Sequence, residues 1–284
     1  MYRYINASET DRENVYKAFI RGFSDYMIRF DMNQEDFFRR FFGPDGNELA
    51  LSFVALSGDE PVGVVLGGIR DFDGVKTMRC GALSIVPEHR GKGVSDRLLE
   101  LHLETAKDRG CRQLFLEVIR GNDRAVAFYE KKGYEKIYDL HYYTLDKSDF
   151  SGNLSSVGYA ELKEMSFADL HSLKEQFSDI HLNWQTDFQA MEKMNDIRYY
   201  GAYEGQLLKG VVAFRDTGKI YLIWVDRKSR SRHLGSLLMK KAIDKTDSPK
   251  MHISFSNHAG LSGFVKSSGF VRDELSQFEM YRLL

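Results

Sequence analysis

The residues best suited to chemistry lie in one short stretch, Ile85-Val86-Pro87-Glu88-His89-Arg90-Gly91-Lys92-Gly93-Val94-Ser95. Glycines at 91 and 93 remove side chains where a strand turns into a helix. Backbone N–H groups can then converge on an anion at the positive end of the helix dipole. Arg90 and Lys92 add charge at the same place. The stretch has neither the GxxxxGK[ST] form of a nucleotide P-loop nor the GxGxxG form of a dinucleotide fold, and a glycine pair alone also suits an ordinary strand-to-helix loop. A second candidate is Glu117, which interrupts the apolar run from Gln113 to Ile119 and shares a strand face with Phe115 and Ile119. A carboxyl among apolar neighbours has a raised pKa, as a base toward an ammonium group needs.

These residues need elements to hold them. Ser8, Thr10 and Asp11 supply cap chemistry before a helix carrying Val15, Phe19 and Ile20, which ends near Gly22. An aromatic stretch from Phe30 to Phe42 stops at Gly43-Pro44, and its phenylalanines suit packing better than recognition. Residues 52–56 and 62–66, split by Ser57-Gly58-Asp59, read as a hairpin. The strand Gly81–Val86 runs into the glycine loop and then a helix with Leu98, Leu99, Leu101 and Leu103. After the strand of Glu117 comes a well-marked helix, with Asn122 as cap, Asp123 in the first turn, Lys131 and Lys132 in the last and Gly133 as stop. Strands alternating with helices imply an α/β layer around a mixed sheet.

Composition removes several function classes. Forty basic against 41 acidic side chains leave a formal charge of −1, so no electrostatic footprint argues for nucleic acid or an anionic membrane. Hydrophobic residues at 43% and only four prolines describe a chain that buries a core. Cys80 and Cys111 form neither a disulfide framework nor a zinc ligand set, so no metal is expected and a reducing, cytoplasmic setting is the default. No apolar run approaches the roughly 20 residues of a membrane helix.

The chain also repeats itself. Gly63-Val-Val has a counterpart in Gly210-Val-Val, and Ile85, Arg90 and Leu98 match Val225, Arg230 and Leu238 at one constant offset. Asn122, Phe128 and Gly133-Tyr134 correspond to Asn257, Phe264 and Gly269-Phe270, with one inserted residue. A repeat this long is a duplicated domain, not a solenoid. The expected organisation is a domain over residues 1–146, a Ser- and Gly-bearing linker at 147–157, and a second domain over 158–284. The copies would act as a pseudo-dimer within a monomer, or the chain as a homodimer.

Val86 through Gly93 with Leu98-Leu99, then Leu116-Glu-Val118, Asn122, Ala125, Phe128-Tyr129 and Gly133-Tyr134, resembles the GNAT superfamily of coenzyme-A-dependent N-acetyltransferases. The resemblance covers about Ser52 to Tyr143 and implies two tandem domains, each a mostly antiparallel mixed sheet flanked by helices. It implies that Arg90, Gly91, Lys92, Gly93, Val94 and Ser95 cradle the coenzyme pyrophosphate, with Ser95 standing where Gly or Ala is usual. Pantetheine would pair with backbone near Leu83 and Ile85, where the strand splays from that of Glu117, and Asn122 would bond the pantetheine arm. Asn122 is equally a helix cap. Tyr129 matches the family tyrosine that protonates the departing thiolate, and Glu117 a glutamate used by ribosomal-protein alanine acetyltransferases. Asp71 and Asp73 are substitutes for the base. Asp25, Tyr26 and Arg29 lie where such folds build the acceptor wall.

The implied activity is transfer of acetyl from acetyl-CoA to an amine by direct attack, with neither cysteine involved. A rival reading is a non-catalytic acyl-CoA sensor or assembly module. In the second copy Pro87, Gly91 and Gly93 become Arg227, Ser231 and His233, Val265 stands against Tyr129, and His252 lies in the strand matching that of Glu117. That copy is expected to be degenerate.

Overall fold

A computed structural model describes residues 1–154, 160–177 and 180–284. Residues 155–157 of the expected linker lie outside the described residues. In chain order the elements are β1 (Tyr2–Asn6), α1 (Arg12–Gly22), α2 (Gln34–Phe41), β2 (Glu48–Ser57), β3 (Glu60–Phe72), β4 (Val75–Ile85), α3 (Val94–Asp108), β5 (Gln113–Ile119), α4 (Asp123–Lys131) and β6 (Glu135–Asp146). There follow β7 (Glu161–Met165), α5 (Phe167–Ser172), α6 (Phe188–Glu192), β8 (Ile197–Glu204), β9 (Leu207–Arg215), β10 (Lys219–Val225), α7 (Leu234–Asp244), β11 (Lys250–Ser256), α8 (Ala259–Ser267) and β12 (Val271–Leu283). Among the described residues no helix is long and apolar enough to cross a membrane.

The chain forms two compact units, residues Met1–Ile137 with Phe278–Leu284, and residues Tyr138–Gln277. Their limits cross the sequence repeat, because each unit takes its last strand from the other half of the chain. In the first unit Met280 is fully buried in the core, and the Leu284 N–H donates to the Arg112 carbonyl at 3.0 Å. In the second, β6 pairs antiparallel with β11, from Asp146↔Lys250 to Leu140↔Ser256.

The first unit is a mixed sheet, mostly antiparallel, in the order β1-β2-β3-β4-β5 followed by the end of β12. One face packs on α3 and α4 through Val65, Met78, Leu98, Leu114 and Val126. The other packs on α1 and α2, where Phe19, Phe37, Val54 and Val64 are fully buried. Each such side chain contributes about 1.5–3 kcal/mol on leaving water. The polar start of the chain hides a strand: β1 pairs with β2 from Tyr2↔Ser57 to Asn6↔Phe53, and Tyr2 and Tyr4 pack against the core. Five residues with one arginine and one asparagine carry too little alternation to mark it.

The feature that shapes a site is where pairing stops. The parallel strands β4 and β5 pair from Thr77↔Gln113 to Cys80↔Leu116 and no further, although β4 runs on to Ile85 and β5 to Ile119. On its other edge β4 stays paired with β3 as far as Ile85↔Gly63. A gap therefore opens after Cys80 and Leu116. The second unit repeats the plan in the order β6-β11-β10-β9-β8-β7, and its parallel pair, β10 with β11, shows two registered pairs, Lys219↔His252 and Ile220↔Ile253.

Candidate active site

The glycine loop leaves β4 as a single 3₁₀ turn, Pro87–His89, and enters α3 with Gly91 at φ 71° and Gly93 at φ 79°. Only glycine occupies this left-handed region without strain, and a Cβ at either position would meet nothing within 4 Å, so the loop opens onto free space. Gly93 caps α3 without a side-chain bond, and the first helical bond runs from the Arg97 N–H to the Gly93 carbonyl. The N–H groups from Gly91 to Asp96 thus have no hydrogen-bond partner among the described residues. Such a row at a helix start has the chemistry that suits an anion. Lys92 is exposed, Val94 is buried beneath the loop and Ser95 is half-buried.

Arg90 faces the other way. Its Nε donates to the Ile85 carbonyl at 3.0 Å and its Nη2 to the Gly22 carbonyl at 3.0 Å, while Nη1 and Nη2 reach the two carboxylate oxygens of Asp25, each at 2.6 Å. Arg90 and Asp25, expected on phosphate and acceptor respectively, are each other's partners, because the loop after β4 runs beside the end of α1. The bonds from Arg90 hold the Asp25 carboxyl below the usual range. A further brace comes from β1, where the Tyr2 hydroxyl bonds His89 Nδ1 at 3.0 Å. Arg29 is exposed, with no hydrogen-bond partner among the described residues.

Tyr129 projects from α4 toward the gap. It is 8% exposed and packs in the α3–α4 core with Cys80, the last paired residue of β4. Burial raises its phenol well above the ordinary value, with Cys80, Tyr134 and Tyr26 adding to the effect. The hydroxyl therefore carries its proton at neutral pH. Burial likewise pushes the Cys80 thiol up to about 12, so it is no thiolate nucleophile. Asn122 caps α4 by accepting from the Ala125 N–H at 3.3 Å, and its side chain draws the Tyr26 phenol down against the rise that burial gives it. Leu83 and Ile85 lie on β4 beyond the gap's apex, and the Ile85 carbonyl is the one that Arg90 occupies.

Glu117 is on β5 just past the last paired residue, and its side chain is 2% exposed. Its partner, not foreseen from the sequence, is the buried Arg79 of β4, which donates Nη2 to Glu117 Oε2. The signal was a second charge inside an apolar strand run, on the face that alternation gives Phe115 and Glu117. Burial pushes the Glu117 carboxyl up, the Arg79 guanidinium draws it down, and Glu279 raises it again; the net direction is upward. Strand alternation puts Glu117 and Arg79 on one face of the sheet and Cys80 with Tyr129 on the other. The two ionisable groups can meet only through the gap. Asp71 is paired with Lys76 at the far end of β4, about 17 Å from Gly81 at 3.4 Å per residue, and Asp73 lies beyond it in the turn. Neither reaches the gap.

The second unit keeps the loop's backbone but puts side chains on it. Ser231 at φ 60° and His233 at φ 61° hold the left-handed conformations of Gly91 and Gly93 with side chains attached. Arg230 repeats the brace, its Nε donating to the Val225 carbonyl at 3.1 Å. Gly235 is small for another reason: a Cβ there would come within 3.0 Å of the Phe264 ring. Val265 is fully buried, and the capping role of Asn122 passes to His258, which accepts from the Leu261 N–H at 2.9 Å. Among the described residues no group of three or more His, Cys, Asp or Glu side chains could hold a metal ion.

The chain is similar to known proteins in sequence and in fold. The sequence model of the Acetyltransferase (GNAT) family matches residues 13–134, and that of the Acetyltransferase (GNAT) domain matches residues 157–281. The chain is similar to N-alpha-acetyltransferase 30 of Schizosaccharomyces pombe, 35% identical over 101 residues, which cover 35% of this chain and 67% of that protein. In fold it resembles a GCN5-related N-acetyltransferase from Sphaerobacter thermophilus, with TM-score 0.71 and 11% identity over 100% of this chain and 95% of that one. It also resembles a tandem GNAT protein from the clavulanic acid biosynthesis pathway, with TM-score 0.65 and 15% identity over 100% and 98% of the two chains. Two matched domains, the sequence relative and the shared fold agree, and the chain belongs to the GNAT acetyltransferase family, with two GNAT domains in tandem.

Proposed function

We propose that the first unit transfers acetyl from acetyl-CoA to an amine of a small molecule or peptide by direct attack. The observation that carries this reading is the row of unpartnered N–H groups from Gly91 to Asp96 beside the gap between β4 and β5. That row suits a pyrophosphate, and strand edges left unpaired beyond Cys80 and Leu116 suit the amides of pantetheine. The name of the fission-yeast relative makes a peptide α-amine the first acceptor class to try.

In this mechanism the amine nitrogen attacks the thioester carbonyl carbon, and a C–N bond forms. Glu117, with a raised pKa, takes the ammonium proton on one side of the sheet. The C–S bond then breaks, and the thiolate receives the Tyr129 hydroxyl proton on the other side. The proton held by Glu117 and the one given by Tyr129 balance through solvent. Orientation of the amine against the thioester and polarisation of its carbonyl by a strand N–H supply most of the rate. Arg90 holds the loop from behind, and Lys92 adds charge in front.

In the second unit Ser231 and His233 fill the cradle and Val265 has no proton to give, so one acetyl-CoA binds per chain. Calorimetry with acetyl-CoA and free-thiol release against an amine library, including peptides with free N-termini, test the reading. One site and amine-dependent thiol release are expected. Binding without release would make the first unit a coenzyme sensor or assembly module, and two equivalent sites would overturn the degenerate second copy.

A further inference from the structure

Residues 23–33, between α1 and α2, have no helix or strand of their own. What holds them is partly aromatic: the Phe19 ring contacts Phe23 and Phe30, and Tyr26 contacts Phe23 at a centroid distance of 5.0 Å. The Tyr16 hydroxyl also donates to the Met32 carbonyl at 2.7 Å, and one ion pair ties the segment to the glycine loop. The Arg90 guanidinium joins three places at once, the end of β4 at Ile85, the end of α1 at Gly22, and Asp25 through both carboxylate oxygens. The Asp25 side chain is 53% exposed and that of Arg90 25%. Water screens such a pair, so it adds little stability, but its fork geometry fixes direction.

The second unit serves as an internal control. Arg230 keeps the bond from Nε to its strand carbonyl yet has no ion pair among the described residues. The brace is therefore common architecture, whereas the Asp25 pair occurs in the copy with the open cradle. Tyr26, next in sequence to Asp25, lies close enough to Asn122, the cap of α4, for that side chain to offset part of the rise that burial gives the Tyr26 phenol. Arg124 adds a weaker attraction for Asp25 and cannot replace the bidentate contact.

We propose that Asp25 is a positioning residue that fastens residues 23–33 to the coenzyme loop through Arg90, so that the acceptor wall is set by the loop that binds the coenzyme. The proposal rests on reading the first unit as the acetyl-CoA and amine site. Asp25 then governs acceptor binding without touching the acceptor.

Hydrogen–deuterium exchange of the full chain, calorimetry with acetyl-CoA and steady-state kinetics with a free-N-terminus peptide test it in Asp25→Asn, Asp25→Glu, Arg90→Lys and the Asp25→Asn/Arg90→Lys double variant. Asp25→Asn should speed exchange of the amides of 23–33 by about fivefold or more while those of α1 stay unchanged. It should raise the peptide KM about tenfold with kcat and the acetyl-CoA Kd within about threefold of wild type. Asp25→Glu should restore most of the loss, and the double variant should be no worse than the poorer single one. Unchanged exchange in Asp25→Asn, or additive single and double effects, would overturn the latch. So would a raised KM with unchanged exchange, the result expected if Asp25 contacts the acceptor itself. If wild type binds no acetyl-CoA, the coenzyme reading fails, and the exchange data still decide whether Asp25 and Arg90 hold the segment.

Discussion

At the scale of single residues, Tyr129 and Glu117 sit on opposite sides of one sheet and share access only at the gap after Cys80 and Leu116. If Tyr129 is the acid, Tyr129→Phe should lower kcat by about ten- to ten-thousandfold and leave coenzyme affinity nearly intact. A variant within about twofold of the parent in single-turnover assays would remove Tyr129 from the chemistry. The base must be deprotonated, so kcat/KM should rise as pH passes upward through the pKa of Glu117, which lies above the ordinary carboxylate range. Glu117→Gln should abolish that acidic limb. Arg79→Gln removes the cation that draws the Glu117 carboxyl down, so it should move the limb to higher pH; a limb left in place would assign the base to another group.

At the scale of elements, the second copy says what the first can tolerate. Because His233 already occupies the left-handed position that Gly93 holds, Gly93→His should fold, at a cost of about 1–2 kcal/mol, while its imidazole obstructs the cradle. Differential scanning fluorimetry should show a modest loss of Tm and no further stabilisation by acetyl-CoA. Helix α3 carries a separate liability in His102, fully buried with neither ring nitrogen bonded, and burial lowers its pKa from 6.5 to about 4. The unfolded chain takes up this proton below about pH 6.5 and the folded chain only near pH 4, so stability is whole above 6.5 and falls as pH drops through that window. Between pH 7 and 5 this single group should cost about 2 kcal/mol, measurable by urea unfolding. His102→Leu should flatten that part of the pH dependence, and an unchanged slope would place the loss elsewhere.

At the scale of the whole molecule, neither half of the sequence coincides with a compact unit. The segment Phe278–Leu284 belongs to the first unit, where Met280 is core, Tyr281 packs on Phe115 at 4.9 Å and Arg282 Nη1 donates to the Lys132 carbonyl at 2.7 Å. A chain ending near Asp146 keeps every candidate site residue yet lacks this strand. It should melt early and lose acetyl-CoA binding, and a chain ending at Gln277 should share the defect. Met280→Ala alone should cost about 2–5 kcal/mol. A 1–146 fragment that binds acetyl-CoA with the affinity of the full chain in calorimetry would show the segment to be dispensable.

The sequence by itself determined the duplication, through matches at a constant offset, and what is local: the strand-loop-helix order, the glycines at 91 and 93, and the cap at Asn122 follow from neighbours within a few residues. The side chains in the second loop were legible too, because Ser231 and His233 align with those glycines and take the same left-handed conformation. Only the tertiary structure decided which long-range partners meet. Arg90 and Asp25 lie 65 residues apart, Arg79 and Glu117 lie 38 apart, and Arg282 reaches Lys132 across 150. Charge at Arg90 reads the same in sequence whether it faces a phosphate or a carboxylate. Hydrophobic periodicity sets which face of an element is buried, but strand pairing and loop closure choose the partner, so the latch, the buried ion pair and the exchanged strands follow from the fold.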